Sequence, residues 1–326
     1  MQVRRVDGAG ALGADQGSNL VAIGNFDGVH AGHRAVLAAA TRDANARGLS
    51  LLVLTFDPHP AVVLGRGAQP VLTPLERKVE LLCRLDPTLR VVVEPFTHQL
   101  AGMSARSFVE DLLVGALGAK VVVVGQNFRF GKGRAGDLAV LEKLGAELGF
   151  VARAEELAKD ADGPFSSSRI RASIAAGNLA DAERLLGRPH AVSGRVVRGD
   201  GRGRTVGVPT ANLDGVVEAL PPYGVYACVV DRLADDGTAT RLAAGVANIG
   251  NRPTVNAGFS TEAHLFDFDG DLYGARLRIH LVERVRDEKK FASLDELVHQ
   301  IRNDIETARR ATERRVPDPA AGAAWY

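Results

Sequence analysis

One stretch, residues 24–33, constrains the fold more than any other, because it joins an apolar run to a helical pattern through a glycine-rich turn. The apolar run is 20–23, and an Ala-rich segment, 34–47, follows the turn. A strand, a turn and a helix in this order present backbone N–H groups at a helix N-terminus, where a phosphate is stabilised. His30 and His33 share one face of that helix. The stretch therefore predicts a nucleotide triphosphate site at the end of a strand.

The first half of the chain repeats this alternation of apolar runs and helical patterns. Several of the runs are continuous rather than alternating, as expected for strands covered on both faces. Their order predicts a parallel sheet with right-handed crossovers, whose ligands bind beyond the carboxyl ends of the strands. The predicted strands are 20–23, 49–56, 91–93, 120–124 and 150–152, and the predicted helices are 34–47, 74–84, 105–117 and 137–148. Besides the first turn, the segments 55–60 and 125–131 follow strand ends.

The pattern changes in the second half. A helix with arginines begins after an N-cap at Ser166 and ends at Gly187, which predicts a domain boundary there. Beyond Pro189, strands separated by Gly, Pro, Asn and Asp clusters predict an antiparallel barrel or sandwich: 192–197, 224–231, 241–249, 262–268 and 276–283. A capping box of Ser293 and Glu296 opens a last amphipathic helix. The tail from Arg309 is basic and then Pro/Ala-rich, and we expect it to be frayed.

Composition excludes several classes of protein. A chain of 326 residues is long enough for two domains, and its net charge of +1 argues against bulk nucleic-acid binding. The two cysteines, Cys83 and Cys228, have neither CxxC spacing nor histidine partners, so we expect reduced thiols. No apolar run approaches the length of a membrane span, and no apolar leader stands at residues 1–19. We expect a soluble cytoplasmic protein that binds neither nucleic acid nor membranes, with its oligomeric state open.

The two histidines allow three interpretations. Imidazoles three residues apart converge on a metal in some proteins, but no third ligand is near in sequence. A purely structural role is the second interpretation. The third is nucleotide binding, in which ring N–H groups stabilise charge that builds up on phosphate oxygens. We favour the third because both histidines fall in a phosphate-type turn.

Four segments of the first half carry a common pattern of residues. In the turn and in a later serine segment these are Gly24, Phe26, Asp27, Gly28, Val29, His30, Gly32, His33, Ser166, Ser167, Ser168 and Arg171. The other two segments are 56–60 (Phe-Asp-Pro-His-Pro) and 125–131 (Gly-Gln-Asn-Phe-Arg-Phe-Gly). The turn and the serine segment resemble the nucleotidyltransferase superfamily, whose members have an HxGH motif and a Ser/Thr-rich segment with an arginine. All four segments together resemble, more narrowly, the FMN adenylyltransferase module of prokaryotic bifunctional riboflavin kinase/FAD synthetases.

The resemblance implies that His30, His33, Asn127 and Arg171 serve adenylyl transfer. It also implies ATP contacts for residues of the turn and the serine segment, namely Gly24, Phe26, Asp27, Gly28, Gly32, Ser167 and Ser168. Aromatic and apolar surface suits the isoalloxazine ring, and the candidates are Asp57, Pro58, His59 and Phe128. Ser168 stands where the family usually has Thr, which keeps the hydroxyl. Ala31 stands where a basic residue is common, which reduces the expected phosphate affinity.

A second signature lies in the glycine-rich, basic stretch 199–212, which ends in Pro-Thr-Ala-Asn. By composition alone this stretch suits a flexible hairpin, and Glu262 alone suits a solvated strand carboxylate. Mobile glycines with arginines also make a lid over phosphates, and Thr and Asn oxygens suit Mg²⁺. The stretch resembles the riboflavin kinase module, as do 224–227, 248–254 and 262–274. The ATP contacts that this resemblance implies are Gly201, Gly203, Arg204, Gly207, Pro209, Thr210 and Asn212.

In the kinase module the resemblance puts Thr210 and Asn212 at the Mg–ATP site and makes Glu262 the catalytic base. We therefore expect an N-terminal Rossmann-like α/β domain over 1–187 and a C-terminal antiparallel β-barrel with a C-terminal helix over 188–326. The expected function is conversion of riboflavin to FMN and of FMN to FAD, with ATP as co-substrate and Mg²⁺ as cofactor. Two alternatives stay open. One is a riboflavin kinase whose front half uses another nucleotidyl acceptor, and the other is a non-catalytic flavin- or nucleotide-binding regulator.

Overall fold

The fold was taken from a computed structural model of the chain. It describes residues 5–12, 17–65, 67, 69–86, 88–156, 158–199, 203, 207–251, 259–313 and 315. The chain divides into two compact units, Met1–Gln69 with Leu75–Phe165, and Pro70–Pro74 with Ser166–Tyr326.

The first unit is built on a six-stranded parallel sheet, as the continuous apolar runs predict. Its strands, in the order β1-β4-β3-β2-β5-β6, are β1 (Arg5–Asp7), β4 (Arg90–Pro95), β3 (Ser50–Asp57), β2 (Asn19–Ile23), β5 (Ala119–Gly125) and β6 (Val151–Glu155). A short antiparallel pair, β7 (Lys159–Asp160) and β8 (Gly163–Pro164), follows β6. All five residues of β2 are buried. The connection from β2 leads to β3 on one side, while β5 pairs with β2 on the other. The carboxyl end of β2 therefore lies at a switch point, where open α/β sheets bind ligands.

Helices cover this sheet, and several of them begin at side-chain caps. They are α1 (Ala31–Arg47), α2 (Pro60–Val63), α3 (Leu75–Leu85), α4 (His98–Gly102), α5 (Ala105–Ser107) and α6 (Leu138–Leu148), with a π-helical segment at Phe108–Ala116. His30 caps α1 and Asp137 caps α6, each accepting a backbone N–H of the first turn. Gly48, in a left-handed conformation, ends α1. The apolar faces of β5, α6 and the π-helical segment share one core.

The second unit contains a closed antiparallel barrel in the order β10-β13-β12-β11-β14-β9. Its strands are β9 (His190–Val197), β10 (Ala211–Asp214), β11 (Gly224–Leu233), β12 (Ala239–Asn251), β13 (Phe259–Leu265) and β14 (Arg276–Asp287). Alternate side chains fill the interior, among them Tyr226, Cys228 and Val230, which are fully buried. The remaining side chains of each strand lie on the outer face.

The helices of the second unit whose bounds the structure describes are α7 (Ser167–Ala175), α8 (Leu179–Leu186) and α9 (Leu294–Glu313). Ser166 caps α7, and Ser293 accepts from the backbone N–H of Glu296 at the start of α9. The Glu296 carboxylate accepts from the Ala292 N–H, one residue before the cap residue, so the predicted capping box forms in a shifted variant. Ala308 of α9 is buried in a cluster with Ala227 and Phe266 of the barrel.

The predicted fold class is confirmed, and three local expectations were wrong. The strands β1 and β10 were not predicted, because one is short and polar and the other lies inside a sequence motif. The tail does not begin at Arg309, because α9 continues to Glu313 and its burial against the barrel holds the last turns. Residues 316–326, the rest of that expected tail, lie outside the described part of the chain.

Candidate active sites

The turn after β2 has an unusual backbone. Phe26 and Val29 adopt positive φ angles of 48° and 39°, although neither is glycine. Such conformations cost free energy and persist where the surroundings enforce them, often at functional sites. Gly32, inside the first turn of α1, allows close packing, since a Cβ there would lie 3.1 Å from the His30 ring and 3.2 Å from Phe165 Cβ. Phe26, Asp27 and Gly28 are buried, whereas Gly24 is half-buried.

The two histidines come together as predicted. Their rings stack with centroids 3.6 Å apart and planes 20° from parallel. His30 Nδ1 accepts a hydrogen bond from the backbone N–H of His33 at 3.3 Å, so the His30 ring proton lies on Nε2. The ring of Phe26 contacts His33 edge-on at 5.2 Å. The two imidazole rings are thus held rigidly together at the N-terminus of α1, where they can donate hydrogen bonds.

His33 is poised as a neutral hydrogen-bonding group. Burial lowers its pKa well below the ordinary value, and electrostatic interaction with His30, Lys78 and Arg34 lowers it further. Its imidazole is therefore neutral near pH 7. The buried Nδ1 atom of His33 has no hydrogen-bond partner within the described residues. A buried polar atom left in this way fits a ligand that completes its hydrogen bonding.

Lys78 is a residue of this site that sequence reasoning missed. It lies on α3 with only 8% of its surface exposed, and its Nζ atom donates to Thr55 Oγ1 at 3.4 Å. Burial lowers its pKa, while the charges of Asp27 and Asp57 oppose that shift. The sequence signal that could have found it is weak, because a lysine on an amphipathic helix usually faces solvent.

The predicted flavin segment begins at the end of β3. Asp57 and Pro58 are exposed, and His59 caps α2 by accepting the Ala61 N–H at 3.1 Å. His59 Nε2 also lies 3.1 Å from the side-chain amide of Asn25 in the first turn. The structure therefore joins the flavin segment to the histidine turn within the first unit.

The third predicted segment follows β5. Asn127 is exposed in the turn, and Phe128 stacks on Phe130 with centroids 5.5 Å apart. Phe130 is buried, so it fixes the orientation of Phe128. Because β2 and β5 are neighbours in the parallel sheet, both turns leave the same edge of the sheet.

The serine segment belongs to the second unit. Ser167 is half-buried and Ser168 exposed in the first turn of α7. Arg171 Nε donates to the backbone carbonyl of Pro70 at 2.8 Å. Their roles with ATP remain predictions from the resemblance.

The second candidate site lies on the outer face of the barrel. Asn212 of β10, Glu262 of β13 and Asn248 of β12 occupy one row across three neighbouring strands. Their neighbours Ala211, Ala263 and Ala247 point inward, so strand alternation places the polar row outside. Glu262 accepts from Thr210 Oγ1 at 3.4 Å and from Ser260 Oγ at 3.0 Å. The predicted base and the predicted Mg–ATP residues are thus adjacent.

Two glycines near this site leave no room for a side chain. A Cβ on Gly199 would lie 2.5 Å from Asn212 Nδ2 in the row, and one on Gly203 would overlap the carbonyl of Val208. Gly207 has a φ of +76°, which favours glycine. The Pro209 carbonyl accepts from His264 Nδ1 at 2.8 Å. Of the predicted contacts in this loop, Gly201 and Arg204 lie outside the described residues.

An open cleft of about 310 Å³ adjoins Thr210. Its walls combine apolar side chains of the barrel with the segment that leads to Tyr273, and Phe268 and Tyr273 supply aromatic surface. Pro209 and Asp271 also line it. A cleft with apolar walls and a few polar groups suits an aromatic base with a polar tail.

The donor set beside this cleft fits a magnesium ion that phosphates share. Mg²⁺ keeps several waters and binds one or two carboxylates together with substrate phosphates. The hydroxyl of Thr210, the amide oxygen of Asn212 and the carboxylate of Glu262 provide such donors. Within the described part of the chain no group of three or more His, Cys, Asp and Glu side chains could hold a metal ion. The histidine turn, in particular, offers no third ligand of this kind there.

The helices in the described ranges are either too short or too polar to cross a membrane.

Comparison with known proteins gives a consistent picture. Residues 13–169 match the family model described as FAD synthetase, and residues 186–312 match that described as riboflavin kinase. The chain is 43% identical over 301 residues to a bifunctional riboflavin kinase/FMN adenylyltransferase of Escherichia coli K12, covering 91% of this chain and 93% of the relative. It is 37% identical over 305 residues to the protein of that name in Bacillus subtilis 168, with the same coverage.

A crystal structure of a macrolide-efflux protein from Streptococcus pneumoniae has the same fold. It superposes with a TM-score of 0.80 at 29% identity, covering 94% of this chain and 99% of that one.

Proposed function

The chain belongs to the bifunctional riboflavin kinase/FMN adenylyltransferase family, and on this premise we propose which of its residues perform the two reactions. The enzyme phosphorylates riboflavin to FMN and adenylylates FMN to FAD, with ATP in both steps. We assign adenylyl transfer to residues 1–187 and the kinase reaction to residues 188–326.

For the kinase step, Glu262 is the general base. The 5′-hydroxyl of riboflavin is a weak nucleophile at neutral pH, so a positioned carboxylate assists by accepting its proton as the oxygen bonds to the γ-phosphorus of ATP. The bond from that phosphorus to the β–γ bridging oxygen breaks, and ADP leaves with the electron pair. The observation that supports this role is the placement of Glu262 between Thr210 and Ser260, in one row with Asn212.

Thr210 and Asn212 would hold Mg²⁺ against the ATP phosphates. The ion would supply charge neutralisation, which phosphoryl transfer relies on more than on covalent chemistry. The cleft beside Thr210 would take the adenine ring, because it offers aromatic walls next to the phosphate-binding residues.

For adenylyl transfer, the chain needs no strong base. An oxygen of the FMN phosphate is already ionised and attacks the α-phosphorus of ATP, while the bond to the bridging oxygen breaks and pyrophosphate leaves with the electron pair. His30 Nε2–H and the neutral His33 ring would donate hydrogen bonds to the phosphate oxygens in the transition state. The stacked geometry of the two rings supports this role, because it fixes both donors before substrate binds. We assign Arg171 and Asn127 to the same step, as the resemblance implies, with the isoalloxazine ring near Phe128 and the segment from Asp57 to His59.

Two variants test the assignment of residues. We expect Glu262→Ala to lose FMN formation while it still converts supplied FMN to FAD, since the two sites use different groups. We expect His30→Ala to do the reverse. The measurement is chromatographic separation of flavins after incubation with ATP, Mg²⁺ and either riboflavin or FMN. The activity that each variant retains shows that the variant is folded, so the two variants serve as controls for each other.

Loss of both activities in a folded single variant would contradict the two-site assignment. If the wild-type protein made FMN but no FAD, the front half would act on another nucleotidyl acceptor instead. No turnover of either flavin would support a non-catalytic regulator.

A further inference from the structure

The buried lysine of α3 takes no part in either reaction as assigned above. Lys78 is 92% buried, and its ammonium group has three N–H donors. Within the described residues it makes one hydrogen bond, a long one of 3.4 Å to Thr55 Oγ1. The Thr55 hydroxyl donates to the backbone carbonyl of Asn25 at 3.2 Å, so it is oriented by the histidine turn. A buried cation with unused donors indicates that an anionic ligand completes its surroundings.

Lys78 lies between the two parts of the adenylyltransferase site. Asp27 belongs to the turn assigned to ATP, and Asp57 belongs to the segment assigned to the flavin. Both carboxylates act electrostatically on the Lys78 ammonium. The ammonium also acts on His33, whose pKa its charge helps to lower. Lys78 therefore lies where ATP bound by the turn and a flavin bound by the segment from Asp57 to His59 would come together.

The chemistry of the step creates a need for a cation there. The phosphate of FMN and the phosphates of ATP are all negatively charged and repel each other as they approach. His33 is neutral and can donate a hydrogen bond but offers no full charge. Arg34 is turned to the backbone carbonyl of Val29, to which its Nη1 donates at 3.3 Å. A lysine ammonium is a compact point charge suited to single phosphate oxygens.

From this geometry we propose that Lys78 binds the 5′-phosphate of FMN and holds it for attack on the α-phosphorus of ATP. The ammonium donates hydrogen bonds to phosphate oxygens that do not react, and it transfers no proton. The FMN oxygen forms the new bond to phosphorus, and pyrophosphate leaves with the electrons of the broken bond. Lys78 is then a catalytic residue of the acceptor side, distinct from the histidines that contact ATP. This inference rests on the assignment of adenylyl transfer to the histidine turn.

The test compares kinetic constants of full-length variants. Lys78→Met removes the charge and keeps an unbranched chain of similar length. We expect the KM for FMN in FAD formation to rise roughly ten- to a hundredfold, as the loss of a charged hydrogen bond implies. The KM for ATP should change less than about threefold, because other residues bind ATP. Lys78→Arg should recover part of the affinity for FMN.

Two controls accompany this variant. Lys143→Met removes a lysine charge from an exposed position on α6 and should leave both KM values unchanged. Riboflavin phosphorylation by Lys78→Met should equal that of the wild type, which shows that the barrel is intact. Circular dichroism and the KM for ATP report on the first unit, and Lys78→Gln provides a second neutral variant if Lys78→Met does not fold.

Two results would overturn the proposal. One is an unchanged KM for FMN in a folded Lys78 variant, and the other is an equal rise in the KM values for FMN and ATP. If His30→Ala abolishes FAD formation while the Lys78 variants match the wild type, only the role of Lys78 fails. If His30→Ala and the Lys78 variants all retain full adenylyltransferase activity, the assignment of the site itself fails.

Discussion

At the scale of single residues, Gly199 shows how a missing side chain shapes the kinase site. A Cβ at this position would lie 2.5 to 2.7 Å from the amide atoms of Asn212. Contacts under 3.0 Å require one partner to move. The partner here is the end of a side chain, so the fold can tolerate the change while Asn212 shifts. The absence of a side chain at Gly199 therefore matters more for the position of Asn212 than for the stability of the barrel.

We predict that Gly199→Ala lowers kcat/KM for riboflavin phosphorylation roughly 10- to 100-fold, because a shift of about 1 Å in a positioned group has effects of that size. FMN adenylylation should be unaffected, and the thermal midpoint should stay close to that of the wild type. Steady-state kinetics with riboflavin and with FMN measure both effects. Gly102→Ala is the matched control, since nothing lies within 4 Å of its added Cβ. Normal kinase activity in Gly199→Ala would show that Asn212 needs no fixed position.

Residue spacing predicted some of these positions and missed others. Two histidines separated by one helical turn must share a face, so their meeting was predictable, whereas the 3.6 Å stacking depends on His30 being the cap of α1. Lys78 was not predictable, because only the fold reveals that α3 turns this lysine toward Thr55. The adjacency of Thr210 and Glu262, far apart in sequence, follows from the pairing of β10 with β13. Their assignment to one site came from the resemblance.

At the scale of elements, two of the ion pairs that attach α9 to the rest of its unit are of different kinds. Asp304 of α9 binds Arg286 of β14 through both carboxylate oxygens, and its side chain is 5% exposed. Arg309 of the same helix binds Asp267, whose side chain is 77% exposed. Gln300 also donates to Asp304. Solvent screens the second pair, whereas the first is largely removed from water.

We predict that Asp304→Ala destabilises the second unit by about 3 kcal/mol, because it leaves the largely buried Arg286 without its counterion. Asp267→Ala, which removes the exposed partner of Arg309 on the same helix, is the control and should change stability far less. Urea denaturation followed by circular dichroism measures the difference, and hydrogen exchange of α9 locates it. Equal losses of stability in the two variants would mean that the more buried pair, Asp304–Arg286, contributes no more than the exposed pair, Asp267–Arg309.

Secondary-structure elements were predictable where the burial of their faces leaves a simple hydrophobic pattern in the sequence. The strands β2 and β5 contain continuous apolar runs, 20–23 and 121–124, because both faces of the sheet are covered there, and the sequence shows this directly. Strand β1 has three residues, Arg-Val-Asp, and forms only because it pairs with β4 at a sheet edge. Strand β10 is likewise specified by its neighbours β9 and β13. Short strands of this kind are set by tertiary pairing rather than by local preference.

At the scale of the whole molecule, the two units have cores of different kinds, and each was predictable as a class. Continuous apolar runs favour a covered parallel sheet, and alternating runs favour a barrel with one polar face. The closure of the barrel was not predictable from these patterns, because a sandwich has the same alternation. Closure follows from the pairing of β9 with β14, which no local pattern encodes.

The thiol of Cys228 provides a test of that closure. The side chain is fully buried in the barrel, and burial raises its pKa. Because the thiolate is the reactive form, we predict that a thiol reagent modifies Cys228 in the native Cys83→Ala variant only as the barrel opens. Mass spectrometry after timed exposure measures the rate, and urea should raise it by orders of magnitude. Modification in native buffer as fast as that of a free thiol would show that the barrel interior is open.

The pairing of β9 with β14 also bears on the order in which the molecule is made. The parallel sheet is complete once Glu155 has been added, before any barrel strand exists. The barrel, by contrast, joins its first strand to its last, so its ring stays open until β14 has been added. A ribosome therefore delivers every strand of the first unit early, and it delivers the second unit as a row of strands with free edges until the final one arrives.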